Sequence, residues 1–347
     1  MIMKKIFLYL TITFFTIASN VIAQPNEIQT ATLQHNGNPT LFYGVDALVR
    51  AHDAASDNDT ILLSAGSFNT IRVSKNVSII GVGCVSDNSN NYKRTVVGFG
   101  VSSPYNTGFT VGKTNGVHLE GVYFNSPIRF EADTLSNCEI VKCQFQWLYF
   151  FGGHNGAPVN AYNCTIRQCS FWNIDGHRED HRYLENWLVS NCFIQGGVVV
   201  NSDSSILFDH CILRLAEVQY GTQSLGPFHY TNNIIYGIPN EAANTSHNVF
   251  IGSDFNGGNS DNNWNNVSES DVFNTALSET YSDELDFTVK SQTYVAADGT
   301  PVGVQGGRYG WNFVPNIPRI TESSIDTSNL KNGSLKISFK AQVPTQE

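Results

Sequence analysis

The sequence predicts an all-β chain wound as a single-stranded, right-handed parallel β-helix, a solenoid with a short N-terminal capping helix. Three observations carry the prediction. A seven-residue motif recurs down the middle of the chain, its spacing centres near 22 residues, and its segments alternate or run apolar for only three to five residues. Fixed motifs with variable spacers are what stacked coils produce, because strands keep register while loops absorb insertions. Short runs rich in Val, Ile, Phe and Thr read as strands and not as a 3.6-residue helical period.

The motif reads Asn115 to Gly121, Asn137 to Cys143, Asn163 to Cys169, Asn186 to Cys192 and Ser205 to Cys211, with looser copies from Pro227 to Asn233 and Ala242 to Asn248. Aligned in this way, its last column is Gly121, Cys143, Cys169, Cys192, Cys211, Asn233 and Asn248, in steps of 22, 26, 23, 19, 22 and 15 residues. Equivalent side chains in stacked coils lie about 4.8 Å apart. Small Cys side chains suit a buried column, and stacked Asn amides can hydrogen-bond along it. Parallel stacking holds Cβ atoms further apart than the ~3.8 Å a disulfide requires, so the cysteines are expected as buried free thiols. The C-x4-C spacing on inward positions does not suit a tetrahedral zinc site.

Ahead of the solenoid, Lys4 and Lys5, the apolar stretch Ile6 to Ile17 and the closing Val21-Ile22-Ala23 read as a signal peptide over residues 1–23, cut before Gln24. The stretch is short for a membrane span, and no other apolar run approaches 18 residues. The mature chain is therefore expected to be secreted, or periplasmic or at the cell surface, without membrane insertion and as a monomer. Loss of Lys4 and Lys5 takes the formal net charge from −10 to −12. That acidity argues against nucleic acid as a partner. It also disfavours polyanionic glycans unless a cation bridges them, and leaves neutral glycans unpenalised.

The segment 24–59 carries the expected capping helix: Val45, Leu48, Val49 and His52 recur at helical spacing within Gly44 to Ala55. The β-helix then spans 60–315, and 316–347 is expected to add capping strands, Ser334 to Phe339 alternating as a strand does. An open solenoid end needs such covers.

The first coil reads Asp59-Thr60-Ile61, then Gly66-Ser67-Phe68, then Val77 to Gly81; at the other end stand Ala297 to Val304 and Gly306-Gly307. In these elements the chain resembles the pectin-lyase-like superfamily over roughly residues 44–312, and its final segment looks like the closing coil of secreted β-helix proteins common in Bacteroidetes. The resemblance implies a fold and leaves activity open, since the superfamily includes lyases, hydrolases, epimerases and non-enzymes.

The densest polar cluster is Asn173 to Arg182. Asn173 to Gly176 looks like the N-x-D-G motif of polygalacturonase-type hydrolases, which the resemblance would follow with a paired Asp one coil later. Gly196-Gly197 stands there instead, and an inverting hydrolase needs both carboxylates. A lyase is the alternative reading. Arg178 or Arg182, or calcium held by Asp175, Glu179 and Asp180, would neutralise a uronate carboxylate. His177 or His181, titrating near neutrality, would take the proton. His177 and His181 do not form H-E-x-x-H, and the same loop also reads as a solvated, mixed-charge connection. Four aromatic residues, Trp147, Tyr149, Trp172 and Tyr183, are candidates to stack on sugar rings; Trp187 falls in the inward column of Cys138 and Cys164. No phosphate loop, dinucleotide glycine motif or nucleophile elbow is present. The function expected is polysaccharide binding, with polysaccharide lyase as the alternative.

Overall fold

A computed structural model describes residues 28–86, 93–98, 108–112, 115–131, 134–150, 160–175, 184–199, 204–214, 228–237, 243–257, 259–278, 281–290, 292–315, 319–326 and 336–342. The chain is an all-β parallel β-helix. Strands one coil apart pair in parallel to build a 12-stranded and a 14-stranded sheet, with a third of three strands, Thr134–Ser136, Asn160–Tyr162 and Leu184–Glu185. The first sheet carries the recurring motif: His118–Glu120 pairs with Glu139–Val141, then Thr165–Arg167, Trp187–Ser190, Ile206–Asp209, His229–Thr231, Asn244–Ser246 and Asn259–Asp261.

The register corrects the first row of the alignment. Glu120 lies opposite Val141, which brings Gly121 level with Lys142 and Val122 level with Cys143. Gly121 therefore belongs to a different column, one of left-handed backbone in which Gly121 (φ 66°), Lys142 (52°), Gln168 (52°), Asn191 (50°), His210 (52°) and Asn232 (60°) turn each coil. Glycine adopts this conformation at no steric cost, whereas other residues adopt it only where packing holds them. The neighbouring inward column runs Val122, Cys143, Cys169, Cys192, Cys211, Asn233, Asn248 and on to Asn263, whose amide joins the Asn ladder.

Within that column the Asn amides serve as backbone surrogates. Asn248 Oδ1 accepts from the Asn233 N–H and Nδ2, both at 3.0 Å, and Asn248 Nδ2 donates to the Tyr230 carbonyl at 2.8 Å. The cysteines are all free and buried. The Cys192 thiol donates to the Ser190 carbonyl at 3.1 Å, and Cys211 likewise reaches Val189 at 3.3 Å. Trp187 fills the Cys138/Cys164 column, its indole N–H donating to the Ala161 carbonyl at 3.0 Å. Coil-to-coil stacking continues in the core, with Phe145 on Phe171 at 4.9 Å and Phe208 on Tyr230 at 5.1 Å.

At the N-terminal end the helix spans Ala47–Ala54 and buries Ala47, Leu48, Ala51 and His52. Val45 lies before it and is exposed. Lys75 Nζ closes the helix by donating to the carbonyls of His52, Asp53 and Ala55, where a cation also suits the helix dipole. The helix is accompanied by a hairpin, Thr30–His35 with Asn38–Tyr43, whose turn places Asn36 and Gly37 at positive φ. Thr30–His35 pairs antiparallel with Thr60–Leu63, so the first sheet begins antiparallel and then turns parallel.

The segment expected as a closing coil does something else. From Ala296 to Pro315 the chain runs back along the outside of the left-handed corner. Asn232 Oδ1 accepts from Ala297 N, Asn191 Nδ2 donates to the Val304 and Gly306 carbonyls, Gln168 to Gly310, and Lys142 Nζ to Val314. Pro315 ends against Gly121. With His210 meeting Thr300 as well, the segment is a strap that crosses six coils, and the left-handed column holds it. Arg319–Asp326 and Lys336–Gln342 pair antiparallel with each other as a separate two-stranded sheet.

Candidate functional site

Outward residues of the second sheet form the surface best suited to a ligand. The strand Gln144–Phe150 turns Phe145, Leu148 and Phe150 into the core. Its bend leaves Gln144, Gln146, Trp147 and Tyr149 outside. Trp147 and Tyr149 lie two residues apart with their rings stacked, 5.5 Å between centres and 7° between planes. The next coil, Ser170–Asp175, sets Asn173 beside Trp147 and Asp175 beside Tyr149. Trp172 is half-buried on the same outer side.

Beside these rings lies a cavity of about 230 Å³ lined by Tyr123, Gln144, Gln146, Trp172, Gln195 and Tyr281 over the core rings Phe124 and Phe145. Gln195 anchors the far wall, its Oε1 accepting from Tyr281 N at 2.9 Å. Arg94 packs its guanidinium 3.8 Å from the centre of the Tyr123 ring. Burial, together with the nearby Asp283 and Cys84, pushes the Tyr281 hydroxyl well above the ordinary tyrosine range, so it stays protonated.

Gly196 and Gly197 lie one coil beyond Trp172 and Asn173. Gly196 N donates to the Trp172 carbonyl at 2.8 Å and Gly197 N to Asn173 Oδ1 at 2.7 Å. A Cβ at Gly196 would fall 2.0 Å from Asn173 Oδ1 and 2.8 Å from Trp172 Cδ1. The Trp172 indole and the Asn173 amide therefore occupy the space that an acidic side chain at 196 would need.

Of the residues singled out in the sequence, Trp147, Tyr149, Trp172 and Asp175 come together on this face. His177, Arg178, Glu179, Asp180, His181, Arg182 and Tyr183 lie outside the described residues. Among the described residues no three His, Cys, Asp or Glu side chains are grouped to hold a metal ion. Tyr123, Gln144, Gln146, Gln195 and Tyr281 were not singled out. The alternation Gln144-Phe145-Gln146 carried a signal for two of them; Tyr281 arrives from a distant segment with none.

Two other surface features are polar. On the first sheet a shallow groove of about 550 Å³ is lined by Leu207, His229, Thr231, Asn244, Ser246 and Asp261 among others, with Tyr230 stacked away in the core beneath it. It lacks an aromatic platform. Further along that sheet His118 bridges two carboxylates, Nδ1 to Glu139 at 2.9 Å and Nε2 to Glu120 at 3.1 Å. Burial pulls its pKa down, but the hydrogen bonds and charges of Glu120 and Glu139 outweigh that and hold it above the ordinary histidine value.

No protein-family model matches the chain, and neither a curated protein nor a solved structure matches it. Among the described residues no helix is long and apolar enough to cross a membrane.

Proposed function

We propose that the chain is exported by its N-terminal 23 residues as a pectin-lyase-like β-helix. In this reading its mature part binds extracellular or cell-surface polysaccharide along the aromatic face of the second sheet. The observation that carries the reading is the stacked, outward Trp147–Tyr149 pair, continued by Trp172 and the amide-lined cavity. Sugar C–H faces pack on aromatic rings, and hydroxyls pair with carboxamides that both donate and accept. A rigid strand fixes both rings, which lowers the ordering cost of binding.

The test is retention of the exported chain on a panel of polysaccharides by affinity electrophoresis. Retardation lost on Trp147→Ala supports the reading; migration unchanged on every glycan overturns it. The alternative, β-elimination by a polysaccharide lyase through residues 173–182, is read from the same preparation. Unsaturated product absorbing in the ultraviolet, formed from a uronate polymer and abolished by His177→Ala or His181→Ala, would replace binding with catalysis.

A further inference from the structure

We infer that the ligand of this face is a neutral pyranose chain and not a uronate one. The inference rests on the polysaccharide reading and names its substrate class. A uronate brings one negative charge per residue, and a site built for it would set cations among its lining. Here the polar lining is amide and phenol: Gln144, Gln146 and Gln195, with Tyr123 and Tyr281. Neither Lys nor Arg is among the described residues that line the cavity; Arg94 lies over the Tyr123 ring, and Arg129, paired in register with Tyr149, is buried.

Gln146 is exposed and Gln144 half-buried, and neither carboxamide has a protein partner among the described residues. Each offers two donors and an acceptor to hydroxyl groups that do the same. Asn173 adds an independent observation. Its side chain is buried, with Oδ1 taken by Gly197 N, and its Nδ2 has no hydrogen-bond partner. Buried donors are rarely left unmade. This one belongs to a residue next to Trp172 in sequence and opposite Trp147 in register. The formal net charge, −12 once Lys4 and Lys5 are removed, adds long-range repulsion against a polyanion.

The test is isothermal titration of the full exported chain against neutral gluco- and manno-oligosaccharides, and against polygalacturonate and alginate, each with and without calcium. Binding to a neutral oligosaccharide is expected, little changed by added salt. It should be weakened about 3- to 10-fold by Gln146→Ala, the loss of one or two neutral hydrogen bonds. Gln146 is exposed, so the variant should fold. Binding confined to the uronate polymers, or present only with calcium, overturns the inference while leaving the polysaccharide reading in place. Neutral binding that Gln146→Ala leaves untouched overturns the placement in this cavity. No binding to any arm overturns the polysaccharide reading itself.

Discussion

Replacing Asn248 by alanine probes the device that joins the coils. Asn248 is fully buried, and its Oδ1 is the acceptor for the Asn233 N–H at 3.0 Å. Alanine leaves that N–H buried without an acceptor and takes the side-chain donor from the Tyr230 carbonyl. Asn233 Nδ2 keeps the Phe208 carbonyl, at 2.9 Å, so its amide is only half deprived. One unmade buried donor at about 1–3 kcal/mol and one lost net hydrogen bond at about 1 kcal/mol give an expected loss of about 2–4 kcal/mol. Asn248→Cys offers an internal control. In the thiol part of the column the Cys143 N–H points at the Cys169 sulfur at 3.4 Å, so cysteine supplies a weak acceptor there. Its cost should be less than half that of alanine. Urea unfolding at constant m-value measures both. Because a solenoid can open coil by coil, exchange of the Asn233 amide should be followed in parallel, and it should accelerate in the alanine variant. Equal stabilities for the alanine and wild-type chains, with Asn233 exchange unchanged, would refute the surrogate role.

Other expectations follow from the same geometry. His118 has its pKa raised in the folded chain, so its bridge stabilises below the ordinary value of 6.5 and that stability is lost as pH rises through the folded value. His52, whose pKa is lowered by burial and by Lys75, acts in the opposite sense and loses its contribution as pH falls. The wild-type minus His118→Gln difference in unfolding free energy should therefore shrink with rising pH; a difference that grows contradicts the bridge. Gly121→Ala places a Cβ 2.3 Å from Pro315 Cγ at φ 66°. It should cost about 1–3 kcal/mol and raise proteolysis of the strap, an outcome that digestion and mass spectrometry would reveal. Burial drives the Cys84, Cys143 and Cys192 thiols far above their usual pKa. Alkylation should therefore leave the native chain unlabelled and modify all seven cysteines on denaturation; native labelling contradicts their burial.

The coil repeat was legible because each turn of the solenoid needs the same few side chains. An apolar strand is followed by a left-handed residue and then a small buried one. The one slip, Gly121 read in the Cys143 column, arose because a left-handed corner and an inward column both accept small residues, and only strand register separates them. The Asn36-Gly37 pair between Thr30–His35 and Asn38–Tyr43 is a hairpin signal that passed unread beside the stronger pattern of the helix. The strap was not legible. Its contacts join Lys142, Gln168, Asn191 and Asn232 to residues more than 60 positions away, and no local pattern encodes such a pairing. For the ligand face, Trp147, Tyr149 and Trp172 declared themselves as aromatic residues in adjoining coils. The glutamines and Tyr281 acquire meaning only when successive coils and the segment that carries Tyr281 are brought together.

The aromatic face is tested most directly by comparing the exported wild-type chain with a Trp147→Ala/Tyr149→Ala double variant in affinity electrophoresis through gels cast with neutral polysaccharide. Both rings lie outside the core, so the double variant should retain its unfolding midpoint to within a few degrees. The account expects the wild-type chain to be retarded and the folded double variant to run as it does in a gel without polysaccharide. Equal retardation of the two chains, or none for either, would contradict it.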